Sequence, residues 1–136
     1  MKKLLFFLVL AYQSLFSYTN INNSELEQMM ADDIVIIDVR LNEEWVESGV
    51  IKGSKLITYF DRENRPMLKE FLLLANKTLA NNKSKPVVLV CRSGVRSIVA
   101  SEALDKAGYR QVYNLKDGIL GWLYERKKLV RYTPKQ

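Results

Sequence analysis

Residues 87–97 read VVLVCRSGVRS, and this stretch carries the strongest structural signal in the chain. The four apolar residues predict a buried strand of a parallel sheet, and Pro86 stands where a strand tolerates a missing N–H. The run from Ile98 is amphipathic and ends at Gly108, a residue typical of helix C-caps. The cysteine loop, residues 91–97, therefore joins the carboxyl end of a strand to a helix. Such loops are the usual ligand position in open α/β sheets.

On both sides of this stretch, strand-like runs alternate with helix-like runs, which is typical of α/β folds with a parallel sheet. We predict one domain with a central, mainly parallel five-stranded sheet that is flanked by helices on both faces. The predicted strands are an edge strand at 18–21 and further strands at 34–37, 55–57, 87–90 and 112–115. The predicted helices are one that runs to about Ala31, then 43–47, 67–81 and 98–107, and a short last one containing Ile119, Leu120 and Trp122.

Three of the predicted helices begin with a recognisable local signal. Ser24 and Glu27 have the spacing of a capping box, so Ser24 is the expected N-cap of the first helix. Asn42 is expected to cap the second helix, which Gly49 closes. Pro66 suits the first turn of the third helix.

The composition excludes several classes of catalytic site. The 136 residues include no histidine and one cysteine, Cys91. Ser-His-Asp and Cys-His pairs, His-ligated zinc or haem, internal disulfides and multi-cysteine metal or iron–sulfur sites are therefore excluded for this sequence. We expect no metal and no cofactor. The chemistry must then use one thiol with carboxylates, hydroxyls, amines, guanidinium groups and the backbone.

The residues around Cys91 favour its thiolate form. Backbone N–H groups in a tight loop form an anion-binding nest, and the helix that follows adds the positive end of its dipole. Arg92 and Arg96 add two positive charges, and Gly94 lets the backbone turn without steric cost. Cys91 is therefore expected to be a nucleophile at neutral pH without a histidine base. A buried and inert cysteine is the alternative, but two arginines, two serines and a glycine disfavour it.

Three segments of the sequence resemble the signatures of one known family. The loop CRSGVRS resembles the active loop of rhodanese-domain sulfurtransferases. Residues 36–57, IIDVRLNEEWVESGVIKGSKLI, are similar to the N-terminal signature of that family, and residues 108–122, GYRQVYNLKDGILGW, to its C-terminal signature. The resemblance extends over about residues 20–125. Two positions depart from the family pattern: Val50 stands where many relatives have His, and Asp117 where many have the first Gly of a pair.

The resemblance implies a rhodanese-like domain that acts as a sulfurtransferase. Cys91 would accept a sulfane sulfur from a small anionic donor, thiosulfate or a persulfide, and hold it as a persulfide. A thiophilic acceptor, such as cyanide, a small thiol or a protein thiol, would then remove that sulfur. The backbone N–H groups of the loop would cradle the transferred sulfur, which makes the expected substrate-binding residues Arg92, Ser93, Gly94, Val95, Arg96 and Ser97.

Two other functions remain open from the residues alone. A cysteine phosphatase has five residues between its cysteine and its arginine, whereas here four residues separate Cys91 from Arg96. The shorter loop fits a single sulfur better than a tetrahedral phosphate. A sulfur carrier without turnover, or a thiol redox sensor with a dedicated partner, would also use a thiolate. The absence of a second cysteine in the sequence disfavours a self-contained disulfide switch.

Several other charged and aromatic residues are expected to have structural roles. Asp38 and Arg40 are expected to make structural polar contacts at a strand end, rather than substrate contacts. Trp45 and Trp122 are expected to pack in the core. Three basic side chains near the C-terminus are expected to lie on a solvated tail: Lys127, Lys128 and Arg131.

The two ends of the sequence differ in character from the middle. Residues 1–17 combine Lys2 and Lys3 with an apolar run that is too short to span a membrane, a pattern typical of a cleaved signal peptide. We expect an exported, bacterial periplasmic protein with a domain at 18–125 and a basic tail at 126–136. The net charge of +6 falls when Lys2 and Lys3 are removed. The remaining charge suits a small anionic substrate, and we expect neither nucleic acid binding nor stable membrane insertion.

Overall fold

The computed structural model describes residues 18–136, so the predicted signal peptide lies outside the described residues. Within 18–136, five strands form one sheet in the order β1-β5-β4-β2-β3, and every neighbouring pair is parallel. The strands are β1 (Thr19–Ile21), β2 (Val35–Asp38), β3 (Lys55–Leu56), β4 (Val87–Val90) and β5 (Val112–Leu115). The helices of this part are α1 (Asn23–Met30), α2 (Asn42–Ser48), α3 (Leu68–Thr78), α4 (Arg96–Lys106) and α5 (Gly118–Tyr124). The predicted α/β fold is confirmed.

Two apolar layers cover the two faces of the sheet. Alternate residues of a strand point to opposite faces, and β4 follows this rule: Val87, Leu89 and Cys91 belong to one cluster, Val88 and Val90 to the other. The first cluster is completed by α3 and α4, and the second by α1 and α5. The prediction of helices on both faces is thus confirmed. Both clusters consist almost entirely of fully buried aliphatic and aromatic side chains, the main source of folding free energy.

The order of the strands determines where Cys91 lies. Strand β4 pairs with β2 on one side and β5 on the other, so it runs through the middle of the sheet. Cys91 follows its last residue, Val90, at the carboxyl edge. Residues that follow β2 and β5 reach the same edge because all strands are parallel. The cysteine loop therefore has segments from both sides of the chain as neighbours.

Several predicted boundaries are wrong by a few residues. The N-cap of α1 is Asn22, not Ser24. The Asn22 side chain accepts a hydrogen bond from the Glu25 N–H, and the Glu25 carboxylate accepts one from the Asn22 N–H. The reason is that β1 pairs with β5 up to Ile21, so the next residue already begins the helix. Asparagine and serine both have short acceptor side chains and can both cap a helix. Here the pairing of β1 with β5 determines that Asn22 takes the N-cap position.

The second and third helices also begin differently from the prediction. The N-cap of α2 is Leu41, whose N–H donates a hydrogen bond to the Glu44 carboxylate. Asn42 is therefore the first residue of the helix and not its cap. Helix α3 begins at Leu68, because Pro66 forms an isolated bridge with Phe60 instead of entering the helix. That helix ends early, and the backbone of residues 80 and 81 has positive φ. No helix within residues 18–136 is long and apolar enough to cross a membrane.

The residues after α5 pack back onto the domain. The backbones of Val130 and Val50 exchange two hydrogen bonds of 2.8 and 2.9 Å, and the Tyr132 ring lies edge-on to Trp45. Lys127 pairs with Glu27 of α1, so its expected place on a solvated tail is wrong. The pairing holds the start of the tail against α1. Lys128 and Arg131 are exposed, as expected for solvated side chains.

Candidate active site

The Cys91 thiol lies beneath the cysteine loop and has two hydrogen-bonding neighbours. Its side chain is 0% exposed and packs with the core cluster on the α3 and α4 face. The N–H of Gly94 donates to the Sγ atom over 3.1 Å, and the Ser97 hydroxyl lies 3.2 Å from the same sulfur. The loop thus turns around the sulfur and places polar groups on it. This geometry can hold a sulfur atom that carries negative charge.

Gly94 makes the tight turn of the loop possible. Its φ angle is +91°, in the left-handed region that L side chains rarely adopt. A Cβ atom on Gly94 would lie 2.0 Å from the carbonyl oxygen of Lys116, just after β5. The glycine is therefore required twice, for the backbone conformation and for the close approach of the β5 segment.

The first turn of α5 binds the carbonyl groups at the start of the loop. The N–H of Ile119 donates to the Cys91 carbonyl over 2.9 Å, and the N–H of Leu120 donates to the Arg92 carbonyl over 3.0 Å. Gly118 permits this contact, since a Cβ there would lie 2.5 Å from both of these carbonyl oxygens. These contacts hold the start of the loop against α5, while the Gly94 N–H donates to the sulfur.

A buried amide supports the other side of the sulfur. The Ser97 hydroxyl lies 2.5 Å from Oδ1 of Asn114, a β5 residue that is 1% exposed. The Nδ2 atom of the same amide donates to the Gly94 carbonyl over 3.2 Å and to Oδ1 of Asn20 over 3.0 Å. Asn114 therefore contacts both residues that contact the sulfur.

Arg96 is paired with a carboxylate and does not offer a free charge. Its two terminal nitrogens donate to the Glu44 carboxylate over 2.8 and 2.6 Å. The hydrogen bond to Glu44 raises the pKa of Arg96 above its usual value, with a further contribution from Cys91. Burial raises the pKa of Glu44, but the bonds from Arg96 and the Leu41 N–H outweigh it and leave that pKa below its usual value. Arg92 and Arg96 both belong to the loop, as expected, but the charge of Arg96 is balanced by Glu44.

The remaining loop residues face solvent. Val95 is 66% exposed, and Arg92 and Ser93 are exposed as well. Within residues 18–136, Arg92 forms no ion pair, so its charge is available to a ligand. Arg92 also lines a cleft of about 450 Å³ between α2 and α5, next to the loop. The other residues that line this cleft are Arg40, Glu44, Glu47, Ser48, Ile119, Leu120 and Leu123.

Asp38 and Arg40 form a buried ion pair, and their expected structural role is confirmed. The Arg40 Nη2 atom lies 2.8 Å from Oδ2 of Asp38, and the Arg40 side chain is 2% exposed. Arg40 also donates to Ser48 and to the Gly49 carbonyl, and the Trp45 indole donates to Asp38. The pair therefore ties the end of β2 to helix α2. This fixes the helix that carries Glu44.

The two tryptophans and the two departures from the family pattern have structural explanations. Trp45 and Trp122 are buried, as expected. Val50 is buried and forms an isolated antiparallel bridge with Val130 of the tail, a position that suits an apolar residue. Asp117 has a φ of −103°, so no glycine is needed there, whereas the next residue, Gly118, has a φ of +59°.

Sequence reasoning missed two residues of this site, Glu44 and Asn114. Asn114 had a usable signal, because it is the polar residue in the otherwise apolar strand segment VYNL. Glu44 had none, since it is one of several glutamates on α2. Among residues 18–136 there is no group of three or more acidic or cysteine side chains that could hold a metal ion.

Comparisons with known proteins point to one family. A model of the rhodanese-like domain matches residues 22–125. YibN, an uncharacterized protein of Escherichia coli (strain K12), is 34% identical over 107 residues, which cover 74% of this chain and 63% of YibN. The tRNA uridine(34) hydroxylase of Acinetobacter baumannii (strain AYE) is 31% identical over 99 residues, 73% of this chain and 29% of the enzyme. The chain thus spans less than two thirds of the length of both relatives.

A solved structure shares the same architecture. The polysulfide-sulfur transferase homodimer of Wolinella succinogenes, solved in solution, superposes with a TM-score of 0.66 at 24% identity. The superposition covers 93% of this chain and 88% of that chain. The parallel sheet, the loop around the lone cysteine and the match over residues 22–125 agree with one another. The chain therefore belongs to the rhodanese-like domain family.

Proposed function

We propose that this protein is a sulfurtransferase that carries sulfur on Cys91. After the thiol loses its proton to water, the thiolate attacks the outer sulfur of the donor. A new S–S bond forms on Cys91, and the donor S–S bond breaks with its electron pair leaving on the donor, as sulfite when the donor is thiosulfate. The acceptor then attacks the outer sulfur of the persulfide and releases the Cys91 thiolate. Atoms and electrons balance without a cofactor.

One observation carries this proposal: the Cys91 sulfur is held by the Gly94 N–H at 3.1 Å within a loop that ends a central strand. A fixed N–H donor stabilises the Cys91 thiolate, which attacks the donor in the first half-reaction and is released in the second. The thiol is buried, so an outer sulfur would be held close to the loop and away from water.

Family membership supports sulfur chemistry, but it does not identify the donor or the acceptor. The Wolinella succinogenes neighbour is a polysulfide-sulfur transferase, and at 24% identity it supports the fold alone. The hydroxylase match spans 29% of that enzyme, so we do not extend hydroxylation to this chain. A phosphatase is disfavoured for a further reason, because Arg96 already binds the Glu44 carboxylate and is not free for a phosphate.

The test is a sulfur-loading experiment followed by a turnover assay. The purified protein is incubated with excess thiosulfate, the donor is removed, and the intact mass is measured. We expect a species heavier by one sulfur atom, which cyanide or a small thiol returns to the original mass, and ping-pong kinetics of thiosulfate:cyanide transfer. Cys91→Ser should neither load nor turn over. Failure to load from both thiosulfate and a persulfide donor would contradict the proposal.

A sulfur carrier would behave differently in the same experiment. It would load Cys91 from the donor but would transfer the sulfur to cyanide or small thiols only in a single, slow turnover. Rapid loading with no steady-state transfer would therefore favour a carrier with a dedicated protein-thiol acceptor.

We also propose that the protein is exported, on the basis of the basic and apolar pattern in residues 1–17. N-terminal sequencing of protein from the native cell should then find a chain that begins near Tyr18. An intact Met1 on cytoplasmic protein would contradict export.

A further inference from the structure

The hydrogen atoms around the Cys91 sulfur can be assigned from the identities of the surrounding groups. The Gly94 carbonyl is only an acceptor, so the Asn114 atom 3.2 Å from it must be the donor Nδ2. This places Oδ1 of Asn114 opposite the Ser97 hydroxyl at 2.5 Å. An amide oxygen carries no hydrogen, so the hydrogen between these two oxygens must belong to Ser97.

This assignment determines what Ser97 presents to the sulfur. A serine hydroxyl has one hydrogen, and Asn114 accepts it. The Ser97 oxygen therefore turns a lone pair toward Sγ, 3.2 Å away, and can accept the hydrogen of the thiol. When the thiol ionises, that lone pair faces a negative sulfur. The hydroxyl can then bond the sulfur only by giving up its bond to Asn114.

We propose that Asn114 is a positioning residue that sets the state of the Cys91 thiol through Ser97. In the resting protein, its Oδ1 binds the Ser97 hydrogen and so favours the thiol over the thiolate. Its Nδ2 donates to the Gly94 carbonyl, whereas the N–H that donates to the sulfur belongs to a different peptide group, so the amide acts on the sulfur through Ser97. When the sulfur becomes negative, the Ser97 hydroxyl turns to it and leaves Asn114. One buried amide thus opposes premature ionisation and keeps the loop in place.

The charges around the sulfur stay the same in the test variants. Arg92 and Arg96 come from the loop, Glu44 of α2 pairs with Arg96, and Asp38 of β2 pairs with Arg40. Lys116 and Asp117 follow β5. Substitution of Asn114 by an uncharged residue alters none of these groups. A change in Cys91 ionisation would then come from the hydrogen bonds.

The experiment measures the rate at which iodoacetamide alkylates Cys91 as a function of pH. This inference rests on the proposed role of Cys91 as the reacting group, but alkylation needs no sulfur donor, so the two proposals can fail independently. In Asn114→Leu the Ser97 hydroxyl is released to the thiolate. We expect the midpoint of the pH profile to move about 0.4 to 1 pH unit lower, the size of one hydrogen bond. Asn114→Ala should shift it in the same direction.

Two controls separate this mechanism from a general loosening of the fold. Asn20→Ala removes a hydrogen-bond partner of the Asn114 amide that is bonded to neither Ser97 nor Gly94, and it should leave the midpoint unchanged. In a Ser97→Ala background, Asn114→Leu should produce little or no further shift, because the amide acts through the hydroxyl. An equal shift with and without Ser97, or no shift in either Asn114 variant, would overturn the proposal.

The proposal can also be tested on the wild-type protein, without any substitution, by NMR. The Ser97 hydroxyl hydrogen should give an NMR resonance that exchanges slowly with water and shows a contact to the Asn114 side chain. That contact should weaken above the midpoint of Cys91 ionisation. A rapidly exchanging Ser97 hydroxyl at low pH would also overturn the proposal.

Discussion

At the scale of single residues, the two arginines of the cysteine loop differ in what they can do for a substrate. Arg96 forms an ion pair with Glu44, whereas Arg92 is exposed and lines the cleft between α2 and α5. A charge that is already paired adds little to the attraction of a second anion. We therefore expect an anionic donor to contact Arg92 rather than Arg96.

We predict that Arg92→Ala weakens the use of thiosulfate and changes little else. An exposed charge contact is worth about 0.2–1 kcal/mol, so KM for thiosulfate should rise by up to about five-fold with kcat nearly unchanged. Steady-state kinetics at low ionic strength measures this effect. The matched control is Arg110→Ala, which removes an exposed arginine at the opposite edge of the sheet, before β5. Equal effects of the two substitutions would show that Arg92 does not bind the donor.

At the scale of secondary-structure elements, the loop is held between β4, β5 and α5. Helix α5 binds the Cys91 and Arg92 carbonyls, and the end of β5 packs against Gly94. Each contact needs a close approach of two backbones. Side chains at these points would separate the elements, which is why glycine occupies both Gly94 and Gly118.

We predict that Gly94→Ala destabilises the protein more than Gly108→Ala does. Both glycines have a similar positive φ, +91° and +96°, but a Cβ at Gly108 meets nothing within 4 Å. The backbone strain common to both variants should cost about 1 kcal/mol, and the clash with Lys116 should add about 2 kcal/mol or more at Gly94. Thermal or denaturant unfolding measures the difference. Equal losses would mean that the β5 segment moves aside freely.

The ion pair between α2 and the cysteine loop predicts a pH dependence of stability. Because the pKa of Glu44 is lowered in the folded protein, its contribution to stability is full above its usual pKa of 4.5. That contribution disappears as the pH falls through the lowered pKa. Glu44→Gln should therefore be less stable than wild type by about 1 kcal/mol at pH 7, with a difference that shrinks below pH 4.5. Urea unfolding at pH 7 and at lower pH values checks this.

The control for this prediction is Glu70→Gln, which neutralises an exposed glutamate of α3. Its stability difference from wild type should stay small at every pH. If the difference in free energy of unfolding between Glu44→Gln and wild type does not change with pH, the packing of the side chain matters and its charge does not.

At the scale of the whole molecule, the tail beyond the family match is part of the folded structure. The family model ends at residue 125, yet residues within 127–132 contact Glu27, Val50 and Trp45. Trp45 in turn donates to Asp38, the partner of Arg40. The tail thus supports the helix that carries Glu44.

We predict that removal of residues 127–136 lowers the free energy of unfolding by about 2 kcal/mol. The truncation removes an aromatic edge contact, two backbone hydrogen bonds and the hydrogen bond from Trp122 to the Lys128 carbonyl, each worth about 1 kcal/mol or less. It also removes the Lys127–Glu27 ion pair, and ion pairs at a protein surface contribute little. Removal of residues 133–136 alone spares these contacts and should have almost no effect. Thermal unfolding of both truncated proteins tests this. A stable protein without residues 127–136 would show that the tail contacts carry little energy.

The amino-acid sequence by itself determined the architecture and the candidate reacting atom. A short apolar run rich in valine that follows a proline, such as 87–90, favours a buried strand, and its alternation with amphipathic runs is a local property that needs no knowledge of packing. The lone cysteine, the glycine that follows it and the missing histidines are likewise present in the sequence itself. These features were sufficient to predict a mainly parallel five-stranded sheet with a thiol at the carboxyl end of one of its buried strands.

Only the tertiary structure decided which groups surround that thiol. Glu44 and Arg96 are 52 residues apart, and Asn114 and Gly94 are 20 apart, so no local pattern relates them. Their contacts depend on the order of the strands, which brings the ends of β2, β4 and β5 to one edge. The N-cap of α1 was decided in the same way, by the pairing of β1 with β5. Local chemistry specifies the elements, whereas the partners of each side chain depend on how those elements pack.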